Sequence, residues 1–158
     1  MKALVAYFSA SGVTAALAER LAKVIGAPVY EIRPEVPYTK ADLNWMDKKS
    51  RSTLEMQDPS CRPVLSDTDA PVADADVILI GYPVWWYREP SIIDSFLDAY
   101  DFSGKRIALF ATSGSSGIGS EAPARVAEIS GAEVKDAKRF SAHASESELK
   151  AFAQGVLR

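Results

Sequence analysis

The sequence holds one cysteine, Cys61, and one histidine, His143, among 158 residues. A lone cysteine excludes an internal disulfide. Together the two leave no metal cluster and no Cys/His nucleophile with recognisable ligand spacing, and His143 reads as a surface residue ahead of the last helix. A G-x-S-x-G elbow is missing after every predicted strand, which removes the usual sequence sign of a serine hydrolase. No apolar run approaches the roughly 20 residues that a bilayer-spanning helix needs. The N-terminus has no basic stretch followed by a cleavable apolar segment, because the first predicted strand begins at Lys2. Neither charge is in excess: Lys plus Arg number 18 and Asp plus Glu 21, a formal net charge of -3, too small to draw the chain onto a polyanion. These absences predict a cytoplasmic protein with no nucleic-acid and no membrane partner.

With 47% hydrophobic and 25% charged residues, the chain suits one globular domain over residues 1–158. Lys2 to Phe8 (KALVAYF) is a short continuous apolar run, the pattern of a strand buried on both faces of a parallel sheet. Pro28 to Arg33, Ala75 to Gly81 and Lys105 to Ala111 read as further strands, and Glu133 to Phe140 as a weaker fifth. Helical spacing fills the gaps. Leu17, Leu21, Val24 and Ile25 share a stripe that stops at Gly26. Ser91 to Tyr100 follows Pro90 and reads as an amphipathic helix. Glu121 to Ser130 is another, and Ser145 to Leu157 starts with a capping box in Ser145 and Glu148. Strands alternating with helices predict a parallel sheet covered on both faces. One segment, Glu35 to Ala73, breaks the alternation with several prolines and a short helix or two between Ala41 and Met56. It is too long for a plain connection and reads as an excursion within the domain.

In an open parallel sheet, ligands bind beyond the C-terminal ends of the strands. Three stretches stand at strand ends here. SASGVT offers hydroxyls at Ser9, Ser11 and Thr14 and a helix start near Gly12 and Val13, the donors that hold a phosphate without a lysine; an ordinary helix cap is the plainer reading. GYPVWWYREP sets Trp85, Trp86 and Tyr87 in a row after Pro83 and Val84, so at least one ring stays out of the core and offers a flat ligand a stacking platform, while at least one staples the loop. TSGSSGIGS, with Thr112, Ser113, Gly114, Gly117 and Gly119, lets the backbone approach a planar polar edge. Together the three predict a site for a phosphorylated aromatic ring system.

Over essentially the whole chain the sequence resembles a short-chain flavodoxin, in the branch that carries PYTKADLNW…SRSTLE…RP, GYPVWW and TSGSSGIGS. The resemblance implies a doubly wound five-stranded parallel sheet in the flavodoxin order 2-1-3-4-5, a three-layer α/β/α sandwich with FMN at the switch point. It implies that Ser9, Ser11, Gly12, Val13 and Thr14 hold the FMN phosphate. Pro83, Val84, Trp85, Trp86 and Tyr87 would flank the isoalloxazine, and Thr112, Ser113, Gly114, Gly117 and Gly119 would line its other side.

Two functions fit that ligand. As an electron carrier, the protein would exchange electrons with a redox partner such as an NAD(P)H-dependent reductase, at a lowered flavin potential. The acidic run Asp67, Asp69, Asp74 and Asp76 reads as a solvated loop or as a face for that partner. As an enzyme, it would reduce a quinone or similar small acceptor with NAD(P)H, with Tyr38, Asn44, Trp45 and Arg51 closing over the ring; core packing for Trp45 and a surface position for Arg51 are the plainer readings. A phosphoacceptor domain of similar fold would need acidic residues where this chain has Ser9 and Ala10, and an aspartate where it has Tyr82 and Pro83.

Overall fold

The computed structural model describes residues 1–113 and 118–158. In chain order the elements are β1 (Ala3–Tyr7), α1 (Val13–Ile25), β2 (Val29–Glu31), α2 (Arg51–Gln57), β3 (Val77–Pro83), α3 (Ser91–Ala99), β4 (Arg106–Thr112), α4 (Ala122–Ser130), β5 (Glu133–Phe140) and α5 (Glu146–Leu157). The strands form one parallel five-stranded sheet in the order β2-β1-β3-β4-β5, as the resemblance implies. Its central members β1, β3 and β4 are the continuous apolar runs of the sequence, and nearly all their residues are buried. The edge strands differ: β2 has three residues with Val29 exposed, and β5 alternates half-buried with exposed positions. Edges carrying polar residues resist pairing with another sheet.

Two apolar clusters sandwich the sheet. One joins Val5, Tyr7, Leu79 and Phe110 to Leu17 and Leu21 of α1 and to Leu149, Phe152 and Val156 of α5. The other joins Leu4, Ile78, Ile80 and Leu109 to Ile92, Ile93 and Phe96 of α3 and to Ala122 and Val126 of α4, and it includes Ala70 and Val72 of the excursion. In β3, Gly81 pairs with Phe110, and a Cβ there would lie 2.2 Å from the Phe110 ring. Only hydrogen leaves room for that ring.

The helix ends follow local chemistry. At α1 the C-cap Gly26 has φ 67° and bonds its N–H to the Ala22 carbonyl, a left-handed stop that glycine adopts without steric cost. At α5 the capping box is formed, Ser145 accepting from the Glu148 N–H and Glu148 from the Ser145 N–H. One expectation needs correction. Ser91 to Leu97 in α3 is buried on all sides rather than along a stripe, because the excursion lies over its outer face: Ser95 Oγ donates to the Pro63 carbonyl at 2.7 Å, and Ser91 Oγ to that of Glu55 at 3.3 Å.

Candidate functional site

The turns after β1, β3 and β4 are bonded to one another. Thr14 and Thr112 share a buried hydroxyl–hydroxyl hydrogen bond of 2.8 Å. The Val84 N–H donates to the Thr112 carbonyl at 3.3 Å, and the Glu121 N–H to the Tyr87 carbonyl at 3.1 Å. Tyr82, fully buried, donates its phenol to the Ile118 carbonyl at 3.0 Å, and Arg139 of β5 donates to that of Ser113 at 3.3 Å. Gly119 has φ +85° and packs so closely that a Cβ would stand 3.0 Å from the Tyr87 carbonyl oxygen. The three turns expected to act together therefore meet at one end of the sheet. Gly114 and Gly117 fall outside the described residues.

In the first turn, Ser9 Oγ accepts from the Gly12 N–H at 3.0 Å. Gly12 precedes α1 with φ 91° and offers no side-chain cap, so the first N–H groups of α1 keep the donor capacity that a capping side chain would otherwise occupy. Ser11, Gly12 and Val13 are exposed. Thr14 instead points inward, 1% exposed. If Thr112 is the donor in their shared bond, the proton of the Thr14 hydroxyl is left over for an anion.

The second turn explains how the three neighbouring aromatics divide. Trp85 and Arg88 exchange two backbone hydrogen bonds of 3.1 Å, which places Trp86 and Tyr87 at the tip with φ 46° and 68°. A two-residue hairpin tip with positive φ at both positions is the type I′ geometry, normally supplied by Gly, Asn or Asp. Trp85 is the staple, edge-on to Phe8 at 5.6 Å and to Tyr38 at 5.5 Å. Trp86 and Tyr87 stay outside, 38% and 67% exposed.

A cleft of about 410 Å³ lies along this tip, with Val84, Trp85, Trp86 and Tyr87 on one wall and Leu43, Trp45 and Ser52 of the excursion on the other. Trp45 is 72% exposed, which corrects the reading of it as core. Arg51 is likewise no plain surface residue. Its guanidinium lies 3.9 Å from the centre of the Tyr38 ring, pairs with Glu55 at 3.0 Å and donates to the Val36 carbonyl at 2.7 Å. Tyr38 bonds Glu55 in turn, and burial with that carboxylate nearby pushes its phenol pKa up. The two thus clamp the excursion against Phe8 and Trp85. Asn44, the remaining expected lid residue, is exposed and caps the Met46 N–H at 3.1 Å.

Sequence reasoning missed Leu43 and Ser52, and it missed a buried ionic cluster behind the tip. Arg88, Glu89 and Asp94 are all buried. Arg125 of α4 donates to Glu89 at 2.9 Å and to Asp94 at 2.6 Å, and Arg88 to Asp94 at 3.3 Å. Burial, with Asp94 close by, raises Glu89 to about 7 despite Arg125, and burial raises Asp94 likewise. The available signal was an aspartate inside the apolar run SIIDSFL, with Arg-Glu just before its proline.

A larger hollow of about 530 Å³ opens at the β2 edge, between Ser9, Arg33, Glu35 and Asp67. It shares Phe8 and Tyr38 with the aromatic cluster but has none of Val84 to Tyr87 in its walls. Among the described residues there is no group of His, Cys, Asp and Glu that would hold a metal ion, and no helix is long and apolar enough to cross a membrane.

A search of curated proteins returned no match. Solved structures do match: a candidate flavoprotein from Bacteroides eggerthii shares 38% identity at a TM-score of 0.92, covering 99% of this chain and 98% of that one. A candidate flavoprotein from Bacteroides uniformis shares 42% at 0.90, covering 97% of each. A flavoprotein from Lactobacillus acidophilus, solved in complex with FMN, shares the fold at 23% identity and a TM-score of 0.69, covering 96% and 98%. The family model described as flavodoxin matches residues 2–156, a span that takes in every turn of the site, and on that match the chain belongs to the flavodoxin family.

Proposed function

We propose that this protein binds FMN where the turns after β1, β3 and β4 meet, and that it carries electrons between protein partners. The observation that supports this best is the mutual bonding of those turns, with Thr112 accepting from Val84 and pairing with Thr14. The residues present fit the group. Ser9, Ser11 and the uncapped start of α1 hold the phosphate, under a glycine whose Cβ position is open space, and Thr14 braces that turn through its bond to Thr112. The aromatic cleft takes the ring, since its volume of about 410 Å³ falls among those of small-molecule sites and, unlike the hollow at the β2 edge, it is walled by Trp85, Trp86 and Tyr87. Once bound, FMN supplies one- and two-electron redox chemistry.

The protein's own part is to grip, exclude water and bias charge. Trp85 is fixed by its two aromatic neighbours and lends the wall rigidity. Among the described residues that line the cleft none is a cation, so these walls do nothing to favour added negative charge, and the bound potential is expected below that of free FMN. Addition of FMN to the purified protein, followed by flavin fluorescence and a redox titration, tests the reading. Quenching at one flavin per chain with a lowered potential supports it, and an unquenched flavin rejects it.

The second wall of the cleft favours a further reading, as an NAD(P)H-dependent reductase of a quinone or similar acceptor, because a carrier has no need of Leu43 and Trp45 there. Steady-state NAD(P)H oxidation separates the two: turnover by the protein alone supports the enzyme, and dependence on a separate reductase supports the carrier.

A further inference from the structure

The two walls of the aromatic cleft come from distant parts of the chain and, besides the contact of Tyr38 with Trp85, are joined through the buried side chain of Arg88. Arg88 closes the tip, and its side chain, 6% exposed, reaches across to α2. Nη2 donates to the Met56 carbonyl and to Ser91 Oγ, both at 3.3 Å, while Nη1 donates to Asp94 at 3.3 Å and to the Glu89 carbonyl at 3.2 Å. Met56 lies in the last turn of α2, whose first turn carries Ser52 of the facing wall. Ser91 adds a second tie, to the Glu55 carbonyl at 3.3 Å. At its other end α2 holds the segment bearing Leu43 and Trp45, because the Ser52 N–H donates to the Asp42 carbonyl at 3.0 Å and Thr53 Oγ1 to that of Asp47 at 2.9 Å. The bonded path thus runs from the tip through Arg88 and α2 to the opposite wall.

Two features set this apart from an incidental ion pair. Burying a guanidinium is expensive unless its donors are satisfied, and this one is matched by Asp94, which Arg125 shares at 2.6 Å. The tip that Arg88 closes also holds two bulky residues at positive φ, a conformation that persists only where the surroundings impose it.

We propose that Arg88 is a positioning residue of the ring cleft: by tying the aromatic tip to α2 it sets the separation of the two walls, and so the grip on a flat ring, without touching the ligand. The proposal rests on the FMN reading above. Arg88→Lys keeps the charge but replaces a planar fork, which reaches Met56 and Asp94 at once, with a single ammonium. Three measurements are made on it: affinities for FMN and for riboflavin, the near-ultraviolet circular dichroism of the ligand-free tryptophans, and the melting temperature. Both dissociation constants are expected to rise about tenfold, by the same factor, because the phosphate turn is untouched. Ser9→Ala, by contrast, weakens FMN and leaves riboflavin as it was. The ligand-free tryptophan signal of Arg88→Lys changes too.

If Arg88→Lys does not fold, Ser91→Ala removes the second tie and carries the same test with a rise of about threefold. A folded variant whose two affinities stay within about twofold of the parent's overturns the proposal, whatever its melting temperature, and so does loss of FMN binding alone. A parent protein that binds neither flavin defeats the FMN reading instead. Arg88 is then judged on the ligand-free tryptophan signal, which overturns the proposal if unchanged.

Discussion

Thr14, at the start of α1, and Thr112, at the end of β4, share a buried hydroxyl–hydroxyl hydrogen bond of 2.8 Å. It links the turn after β1 to the turn after β4. Thr112→Val strands the Thr14 hydroxyl in the interior and is expected to cost about 1–3 kcal/mol. Thr14→Val with Thr112→Val should cost less than the sum of the two, because nothing is then left unpaired. Urea denaturation of the two single variants and the double variant measures that coupling, and strict additivity would show the bond to be energetically idle.

Gly119 is a tight joint between the second and third turns. Alanine there would combine φ +85° with a Cβ 3.0 Å from the Tyr87 oxygen and 3.1 Å from the Arg88 nitrogen. Gly119→Ala should lose about 2 kcal/mol and displace the tip. Its chemical denaturation midpoint, read alongside flavin affinity, checks both effects; a variant as stable as the parent contradicts the packing described.

Strain at the tip is separable from stability. Tyr87 is 67% exposed at φ 68°, so glycine there loses little buried area and relieves about 1 kcal/mol of backbone strain. Tyr87→Gly is expected to melt higher than the parent and to bind FMN more weakly. A lower melting temperature would mean that the ring contributes more than its conformation costs.

Glu89 ties stability to pH. Its folded value of about 7 stands above the ordinary 4.5, so between those limits the folded chain keeps a proton that the unfolded chain releases. Stability therefore falls as pH rises through that window and levels off above it, with the full benefit present at the acid side. Asp94, also raised, acts in the same direction. Glu89→Gln removes the shift at Glu89. The stability of the parent relative to this variant should decline between about pH 5 and pH 8, and a flat difference refutes the assignment.

The sequence was most informative where chemistry is local. The buried central strands announced themselves as apolar runs, Gly26 and the Ser145–Glu148 box marked helix ends, and the three turns stood out by their position at the C-terminal ends of those strands. Features that stayed hidden depend on partners far along the chain. Trp86-Tyr87 carries none of the Gly or Asn that signals a hairpin tip, and the residues that meet it, Glu121 and Gly119, lie more than thirty positions further along the chain. Asp94 looks like an exposed residue until the excursion covers α3 and Arg125 arrives from α4. Arg51 reads as a free cation because nothing in its neighbourhood shows that the Tyr38 ring will receive it.

The excursion packs on the α3/α4 side of the sheet alone, while α1 and α5 close the opposite side without it. Loosening the excursion therefore leaves one hydrophobic layer intact. Amide hydrogens in α2 should exchange with solvent far sooner than those of α1, and a flavin seated in the cleft should slow the first group while leaving the second as it was.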